Sequence, residues 1–203
     1  MSLIVNRRDV DFVLYETLEL HKILESERYA DYDRESLDAM LDLCQTIAED
    51  QFLTCASKLD ANEPQFVDGK VETISELKDA INAYQEAGLC TSAYDADIGG
   101  MQLPWMVDQA LNGMFVCANN PAHIYLFLTQ GVANMLNVCG SEELKTKYLP
   151  NLVDGKWFGT MCLSEPQAGS SLADIRTKAE LKSDGSYALS GTKMWISGGE
   201  QDI

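Results

Sequence analysis

Basic residues are scarce in this sequence. Fifteen lysines and arginines stand against thirty-two aspartates and glutamates, which gives a formal net charge of −17 at pH 7. An acidic surface repels nucleic-acid phosphates and anionic lipid headgroups, so we expect neither as a partner. No run of about 18 apolar residues occurs, and no secretory segment opens the chain, so we expect neither a membrane span nor export.

The patterns of metal sites and disulfide frameworks are missing too. The chain has two histidines, His21 and His123, and its six cysteines form no C-x-x-C pair. These features predict buried, reduced thiols in a cytoplasmic protein without a metal site. The thiols are those of Cys44, Cys55, Cys90, Cys117, Cys139 and Cys162.

Two further classes of active site lack their motifs. Neither G-x-G-x-x-G nor G-x-x-x-x-G-K-[ST] is present, so the nucleotide-binding modes built on them are not supported. The two histidines lie far from each other in the sequence, and no Ser-His-Asp arrangement can be argued from them.

Helical periodicity dominates the first three quarters of the chain. Apolar residues at helical spacing predict a first helix marked by Phe12, Leu18 and Ile23, and a second helix from about 36 to 59. The length of 203 residues suits one domain, or one domain with part of another.

Capping residues predict where the later helices begin and end. Thr73 with Glu76 predicts a capping box, and Gly88 is placed to end that helix. Pro104 opens a helix over 105–117. The next helix, 123–138, is apolar nearly all round and is expected at the centre of the fold. Ser141 predicts the N-cap of the last helix.

At Trp157 the period changes from helical to two. Short strands are predicted over 157–164, 176–182, 186–191 and 193–197, with a turn at 183–186. Strands at this spacing predict a small antiparallel barrel or sandwich. So few strands leave edges unpaired and cannot enclose a barrel core. We therefore expect either that the chain is part of a larger protein or that its strands pair with another chain.

The stretch MCLSEPQAGSSL, residues 161–172, combines hydroxyl groups with exposed backbone. Gly169 lets the backbone approach a flat or anionic ligand, and Ser164 and Ser170 both donate and accept hydrogen bonds. Trp195 and Ser197 end a later predicted strand. Together these residues could bracket a planar polar ring, but the pattern is also typical of a plain serine-rich turn and a core tryptophan.

Two motifs resemble the signatures of the acyl-CoA dehydrogenase family. MCLSEPQAGSSL resembles the signature C-[VL]-[ST]-E-P-x-A-G-S-D, and KMWIS, about twenty residues on, resembles K-x-[WFY]-I-[ST]. GSEELKTKYLPNLVDGKWFGT resembles the helix and lead-in strand before the first signature. RRDVDFVLYETLEL and FLTQGVANML resemble a longer-chain subgroup that includes 3-methylthiopropionyl-CoA dehydrogenases.

The resemblance implies an α+β fold in a truncated chain. Residues 1–155 would form an N-terminal all-α helical domain, and residues 156–203 would supply the first strands of an antiparallel β-barrel-like middle domain. The family's C-terminal helical bundle would be absent from this chain.

The resemblance also assigns binding roles. The isoalloxazine ring of FAD would lie against two segments, through Met161, Cys162, Leu163, Ser164, Gly169, Ser170, Trp195, Ile196 and Ser197. Ser170 would also touch the acyl-CoA substrate, and Leu128, Thr129 and Gln130 would line the acyl pocket. Ser171 stands where the family usually has aspartate, so the role of that acid is missing or filled otherwise.

The implied reaction is α,β-dehydrogenation of an acyl-CoA to a trans-2-enoyl-CoA. Electrons would pass to an electron-transfer flavoprotein, and the full-length protein would be a homo-oligomer. The base would be a glutamate of the C-terminal bundle, so no catalytic residue is expected here and the chain alone is predicted inactive. Two alternatives stay open: an acyl-CoA oxidase, and a dehydrogenase-like protein that binds nucleic acid or acts as a scaffold.

Overall fold

Helices account for most of the chain between Arg7 and Val153 in the computed structural model, which describes Ser2 and residues 4–201. The α-helices are α1 Arg7–Asp11, α2 Leu20–Leu24, α3 Arg34–Ile47, α4 Thr54–Ala61, α5 Ser75–Glu86, α6 Trp105–Cys139 and α7 Glu142–Val153. The π-helical turns Phe12–Thr17 and Ala48–Leu53 continue α1 and join α3 to α4. Short 3-10 turns lie at Glu27–Tyr29, Leu89–Thr91, Ala96–Ile98 and Leu172–Asp174.

The predicted helix ends are confirmed at two positions and wrong at one. Gly88 follows α5 with φ +72° and donates its amide to the Gln85 carbonyl at 2.8 Å. The Ser141 hydroxyl accepts the Leu144 amide at the start of α7. The capping box of α5 is wrong, because the N-cap is Ile74, whose side chain accepts nothing.

The main core lies where α3, α5 and α6 meet. Phe52, Tyr84 and Phe115 pack edge to face there, with the Phe52 and Phe115 ring centroids 4.9 Å apart. At the first helix, the marker residues Phe12, Leu18 and Ile23 are at least 36% exposed, and Leu14 and Leu20 are buried instead. The π turn Phe12–Thr17 and the left-handed Glu19 (φ +48°) rotate the following residues relative to a regular helix. Different residues therefore face the core.

α6 is two helical arms joined by a sharp kink. Asn119 has non-helical backbone angles, φ −162° and ψ 85°, and its side-chain oxygen caps the second arm by accepting the Ala122 amide. In an unbroken helix Trp105 and Asn134 would be about 44 Å apart. They instead line one cleft, so the arms 105–118 and 120–139 run side by side. The two arms correspond to the two predicted helices, 105–117 and 123–138.

A β-hairpin interrupts the helical part and was not predicted. Strands β1 (Gln65–Val67) and β2 (Lys70–Glu72) pair antiparallel, with Phe66 opposite Val71. Asp68 and Gly69 both have positive φ, which is the type I′ turn that an Asp-Gly pair favours. The Asp-Gly dipeptide therefore could have predicted this hairpin from the sequence.

Only part of the predicted strand region forms strands. β3 (Lys178–Leu181) and β4 (Tyr187–Ser190) form an antiparallel hairpin around a turn at Gly185, as expected. The segments 157–164 and 193–197 are not strands, because neither has a ladder partner in the described part of the chain. The predicted barrel or sandwich is accordingly represented there by this one hairpin.

The structure also bears on the predicted cysteine burial and on the expected absence of a membrane span. All six cysteines are free, but Cys117, Cys139 and Cys162 are exposed, so the expectation of buried thiols holds for only half of them. Across Ser2 and residues 4–201, no helix combines the length and apolar character that crossing a membrane requires.

Candidate functional site

The structure brings the two signature segments side by side. The Met194 amide donates to the Ser164 carbonyl at 3.0 Å, and Lys193 Nζ donates to the Leu163 carbonyl at 3.0 Å. The Thr160 hydroxyl donates to the Ser197 carbonyl. Residues about thirty positions apart in sequence therefore form one continuous surface, which is what a shared binding site requires.

The buried Glu165 carboxylate holds the two segments together. It accepts the amides of Arg176 and Thr177 at 2.8 and 2.9 Å, and an ion pair joins it to Lys193 Nζ at 2.9 Å. The Gln167 side chain donates to it as well. The neighbouring Thr177 side chain first, and then the Arg176 amide and Lys193, hold the pKa of the Glu165 carboxyl far below its usual range.

The two signature segments also carry amides without an acceptor and one exposed aromatic ring. Backbone amides 161–164 and 195–197 donate to no acceptor within the described residues. Trp195 adopts φ +59° and is 84% exposed, an uncommon conformation and environment for so large a side chain. Gly169 is exposed, and a Cβ there would meet nothing within 4 Å. The segment therefore offers hydrogen-bond donors beside a flat apolar face.

A second candidate site is the cleft between the arms of α6. It has a volume of about 430 Å³ and is lined from both arms. On its inner wall the Asn112 side-chain oxygen accepts from Tyr84 at 3.2 Å and contacts His123 Nε2 at 3.0 Å. Gln130 Nε2 donates to the Tyr84 hydroxyl at 3.3 Å. The Asn112 amide nitrogen donates to Asp108 Oδ2 at 3.1 Å, behind that wall.

Burial sets the protonation of this wall. It lowers the pKa of His123 to about 4, so the ring is neutral at pH 7. It also raises the pKa of Asp108, against hydrogen bonds from Ser92, Gln109 and Asn112 that favour the carboxylate. The same desolvation raises the pKa of Tyr84 well above its usual value. The wall is a hydrogen-bonded network of neutral groups in front of one buried carboxyl.

Comparison with known proteins decides the family. The profile described as "Acyl-CoA dehydrogenase, N-terminal domain" matches residues 34–156, more than half of the chain. The chain belongs to the acyl-CoA dehydrogenase family. The family predicted from the two signatures is thereby confirmed.

Curated members of the acyl-CoA dehydrogenase family align along nearly the whole chain. A 3-methylmercaptopropionyl-CoA dehydrogenase of Ruegeria pomeroyi is 30% identical over 97% of this chain. A butyryl-CoA dehydrogenase of Syntrophomonas wolfei is 31% identical, also over 97%. This chain covers 33% of each relative, so it spans about a third of the length of the curated proteins it matches.

A solved acyl-CoA dehydrogenase has the same fold. Butyryl-CoA dehydrogenase from Megasphaera elsdenii superposes with a TM-score of 0.68 at 23% identity, covering 83% of this chain and 42% of that one. The coarse fold prediction, a helical front followed by short antiparallel strands, is confirmed by this likeness and by the observed elements.

The predicted acyl-pocket residues lie on the second arm of α6, as expected, but point to different neighbours. Thr129 is buried, and its hydroxyl donates to the Tyr125 carbonyl at 2.7 Å and accepts the Gly159 amide at 3.0 Å. It joins α6 to the segment that leads into the first signature. Leu128 is half-buried, and neither Leu128 nor Thr129 lines the cleft between the arms of α6. Gln130, the third predicted residue, does line it, beside Phe127. A substrate role for Leu128 and Thr129 stays a prediction.

Two cleft residues were missed from sequence. The sequence patterns assign no binding role to His123 or to Asn112, and both line the cleft. The available signal was a polar residue among apolar ones on each of the two predicted helices, 105–117 and 123–138, since polar groups in such positions need partners. Sequence could not place Asn112 opposite His123, because their contact depends on the kink at Asn119.

Replacing Glu165 by glutamine should loosen the signature surface of this acyl-CoA dehydrogenase chain. Glutamine keeps the shape but loses the charge that holds Lys193 and the two amides, so amide exchange in 160–165 and 193–197 should quicken at pH 7. Because the folded pKa of Glu165 lies below its ordinary 4.5, its stabilisation is present above that pH and is lost as the pH falls further. The difference between the two proteins should therefore narrow as the pH falls below 4.5.

Hydrogen exchange followed by mass spectrometry at pH 7 and pH 3 measures this difference. Glu143→Gln makes the same change on the exposed first turn of α7 and serves as the control. Equal protection of both segments in Glu165→Gln and Glu143→Gln at pH 7 would show that Glu165 is not the support described above.

Proposed function

We propose that the full-length protein is an FAD-dependent dehydrogenase that converts an acyl-CoA thioester to the trans-2-enoyl-CoA. The observation that carries this proposal is the joined surface of the two signature segments. Its amides at 161–164 have no acceptor within the described residues, and the ring of Trp195 is exposed. Family membership supports the reaction class. A division near residue 155, between a helical domain and a β-domain, belongs to the same proposal.

The residues of this surface fit FAD. A flavin has one polar edge and two flat faces, and the surface supplies amide and hydroxyl donors beside an indole ring. The donors would include Ser164, Ser170 and Ser197, with the backbone at Met161, Cys162, Leu163 and Ile196 beside them. Gly169 leaves space for close approach. When bound, FAD would supply hydride acceptance, and donors placed at its polar edge favour the negative charge that builds there.

The acidic residues nearest the two sites are poor bases. Glu165 is occupied by four donors, and its low pKa leaves it little affinity for a substrate proton. Asp108 lies behind Asn112 and accepts hydrogen bonds from three side chains. We therefore assign the base to the two thirds of the relatives' length that this chain does not span.

The acyl group fits the cleft between the arms of α6. The cleft opens between helices that carry Phe127 and Val116, and its glycines Gly113 and Gly131 leave room, since a Cβ on either would meet nothing within 4 Å. Short acyl groups are the favoured substrates, because the similar proteins named above are a butyryl-CoA and a 3-methylmercaptopropionyl-CoA dehydrogenase.

The electron acceptor in this proposal is an electron-transfer flavoprotein. A chain in the structure of the electron transferring flavoprotein of Acidaminococcus fermentans superposes with a TM-score of 0.68 at 25% identity, covering 83% of this chain and 41% of that one. The acidic charge of −17 is compatible with a cytoplasmic protein that does not bind nucleic acid. Homo-oligomerisation of the full-length protein is part of the same expectation.

Absorbance spectroscopy of the full-length protein tests the proposal. We expect it to purify yellow or to take up added FAD, and the flavin band should bleach on anaerobic addition of butanoyl-CoA. Bleaching followed by rapid recovery in air would assign the protein to the oxidases instead. A protein that stays colourless with excess FAD would contradict the proposal.

Trp195→Ala tests the flavin surface directly. Loss of the exposed indole should weaken FAD binding by at least about tenfold, because ring stacking contributes beyond area burial. Trp157→Ala is the matched control, since Trp157 packs against Tyr148 with ring centroids 6.1 Å apart. Calorimetric titration with FAD distinguishes the two, and equal affinities would remove Trp195 from the proposed site.

A further inference from the structure

The backbone beside both signature segments rests on one face of the second arm of α6. The Gly159 amide donates to Thr129 Oγ1 at 3.0 Å, and a Cβ on Gly159 would lie 2.6 Å from Val132 Cγ2. A Cβ on Gly198 would lie 3.2 Å from Tyr125 Cδ1. Residues three and four positions apart are neighbours on a helix surface, so Tyr125, Thr129 and Val132 form one docking face.

This docking face fixes one end of each signature segment. Gly159 lies two residues before Met161, where the first signature begins, and Gly198 directly follows Ser197, where the second ends. The Thr160 hydroxyl donates to the Ser197 carbonyl and links the two ends. The helix therefore holds the surface proposed for FAD as one unit.

The opposite face of the same arm lines the cleft proposed for the acyl group. The lining residues from this arm are His123, Phe127, Gln130, Gly131 and Asn134. Because successive residues turn by about 100° around an α-helix, they lie about half a turn away from the docking face. One helix therefore carries the acyl cleft on one side and the ends of the signature segments on the other, and it sets the distance between them.

Thr129 is suited to this contact because its hydroxyl has two partners. It donates to the Tyr125 carbonyl at 2.7 Å, which leaves a lone pair to accept the Gly159 amide. Thr129 is buried, so a variant without the hydroxyl would leave that amide facing apolar atoms. The position of the segment thus depends on one side-chain oxygen.

We propose that Thr129 is a positioning residue, whose hydroxyl holds the first signature segment where a bound flavin can meet the reacting carbons of the acyl group. The inference rests on the proposed function, because it assumes FAD on the signature surface and the acyl group in the cleft. It gives Thr129 a role behind the flavin site, in place of the predicted contact with the acyl chain.

Thr129→Val in the full-length protein tests this role, since valine keeps the shape and loses the hydroxyl. On anaerobic stopped-flow mixing with butanoyl-CoA, the limiting rate of flavin reduction should fall about tenfold, because small displacements of reacting groups slow the reaction. The Kd for the acyl-CoA should stay within about twofold of the parent value, since the cleft lining is unchanged. Thr129→Ser keeps the hydroxyl and should restore the rate.

Hydrogen exchange of the full-length protein as purified gives a measurement independent of catalysis. Loss of the accepting oxygen should speed amide exchange at 158–161 about tenfold in Thr129→Val. Thr46→Val is the matched control, because the exposed Thr46 hydroxyl donates in the same way to the carbonyl four residues earlier, that of Asp42, at 2.9 Å on α3. The control should change neither the exchange nor the rate.

Gly159→Ala provides a second variant should Thr129→Val fail to fold. It keeps the hydroxyl, but its Cβ must move the segment away from Val132, so the same loss of rate is expected. An unchanged rate in Gly159→Ala would then overturn the inference.

The outcomes separate this inference from the proposed function. A limiting rate in Thr129→Val equal to that of Thr46→Val, or one that Thr129→Ser fails to restore, overturns the inference alone. An unchanged rate with weaker acyl-CoA binding, or with a new preference among butanoyl-, hexanoyl- and octanoyl-CoA, overturns it in favour of an acyl-wall role. A parent protein whose flavin no acyl-CoA reduces overturns the proposed function and the inference together.

Discussion

Gly100→Ala should destabilise the protein by about 2–4 kcal/mol. A Cβ at this position would lie 2.0 Å from the Tyr94 carbonyl oxygen and 2.3 Å from its carbonyl carbon, so the backbone must move. That carbonyl accepts the Gln102 amide at 2.8 Å, and the Leu103 amide donates to Ser92 at 2.9 Å. Separating the two sides of the loop would break hydrogen bonds that position the start of α6.

Gly113→Ala is the matched control for this prediction. Gly113 is helical and its Cβ would meet nothing within 4 Å, so alanine there should stabilise the helix by about 0.5–1 kcal/mol. Urea unfolding of the two variants and the parent protein measures both effects. A loss below about 1 kcal/mol for Gly100→Ala would show that the loop relaxes to admit the methyl group.

The helical part of the fold was predictable because its signals are local. The stripe of apolar residues in α3, the N-cap Ser141 and the C-terminal Gly88 act within one or two turns of their own position. The first helix shows the limit of this reasoning. Its burial depends on the π turn Phe12–Thr17, which helical periodicity does not register.

The strands illustrate a different limit. Alternating residues predict an extended segment, but a strand also needs a partner, and 157–164 has none within the described residues. β3 and β4 are adjacent in sequence and joined by a readable turn, so they pair with each other. Local pattern thus predicted the hairpin correctly and overpredicted the longer-range strands.

In the candidate site too, local features could be predicted from sequence and long-range contacts could not. The signature residues could be named from sequence because they lie in two short stretches. Sequence did not reveal that Glu165 ties those stretches together through Lys193, 28 positions further on. The polar wall of the cleft was also hidden, because it exists only once Asn119 folds one arm of α6 against the other.

Phe115→Ala should lower the free energy of unfolding by about 3–5 kcal/mol. The Phe115 side chain is completely buried, and its ring lies 4.9 Å from Phe52 and 4.8 Å from Tyr84 in edge-to-face contacts. Alanine would remove these contacts and leave a cavity at the centre of the core. Phe115→Leu retains most of the volume and should lose no more than about 1.5 kcal/mol, so it serves as the control.

The same variant should change the pH dependence of stability through His123. The Phe115 and His123 rings stack at 6.2 Å, and burial lowers the pKa of His123 from 6.5 to about 4. Because the unfolded state binds the proton more tightly, parent stability should fall as the pH drops from about 6.5 to 4. Water in the Phe115→Ala cavity should raise the His123 pKa and flatten that fall. NMR titration of His123, assigned with His21→Asn, measures the shift, and an unchanged pKa would mean that the core closes over the cavity.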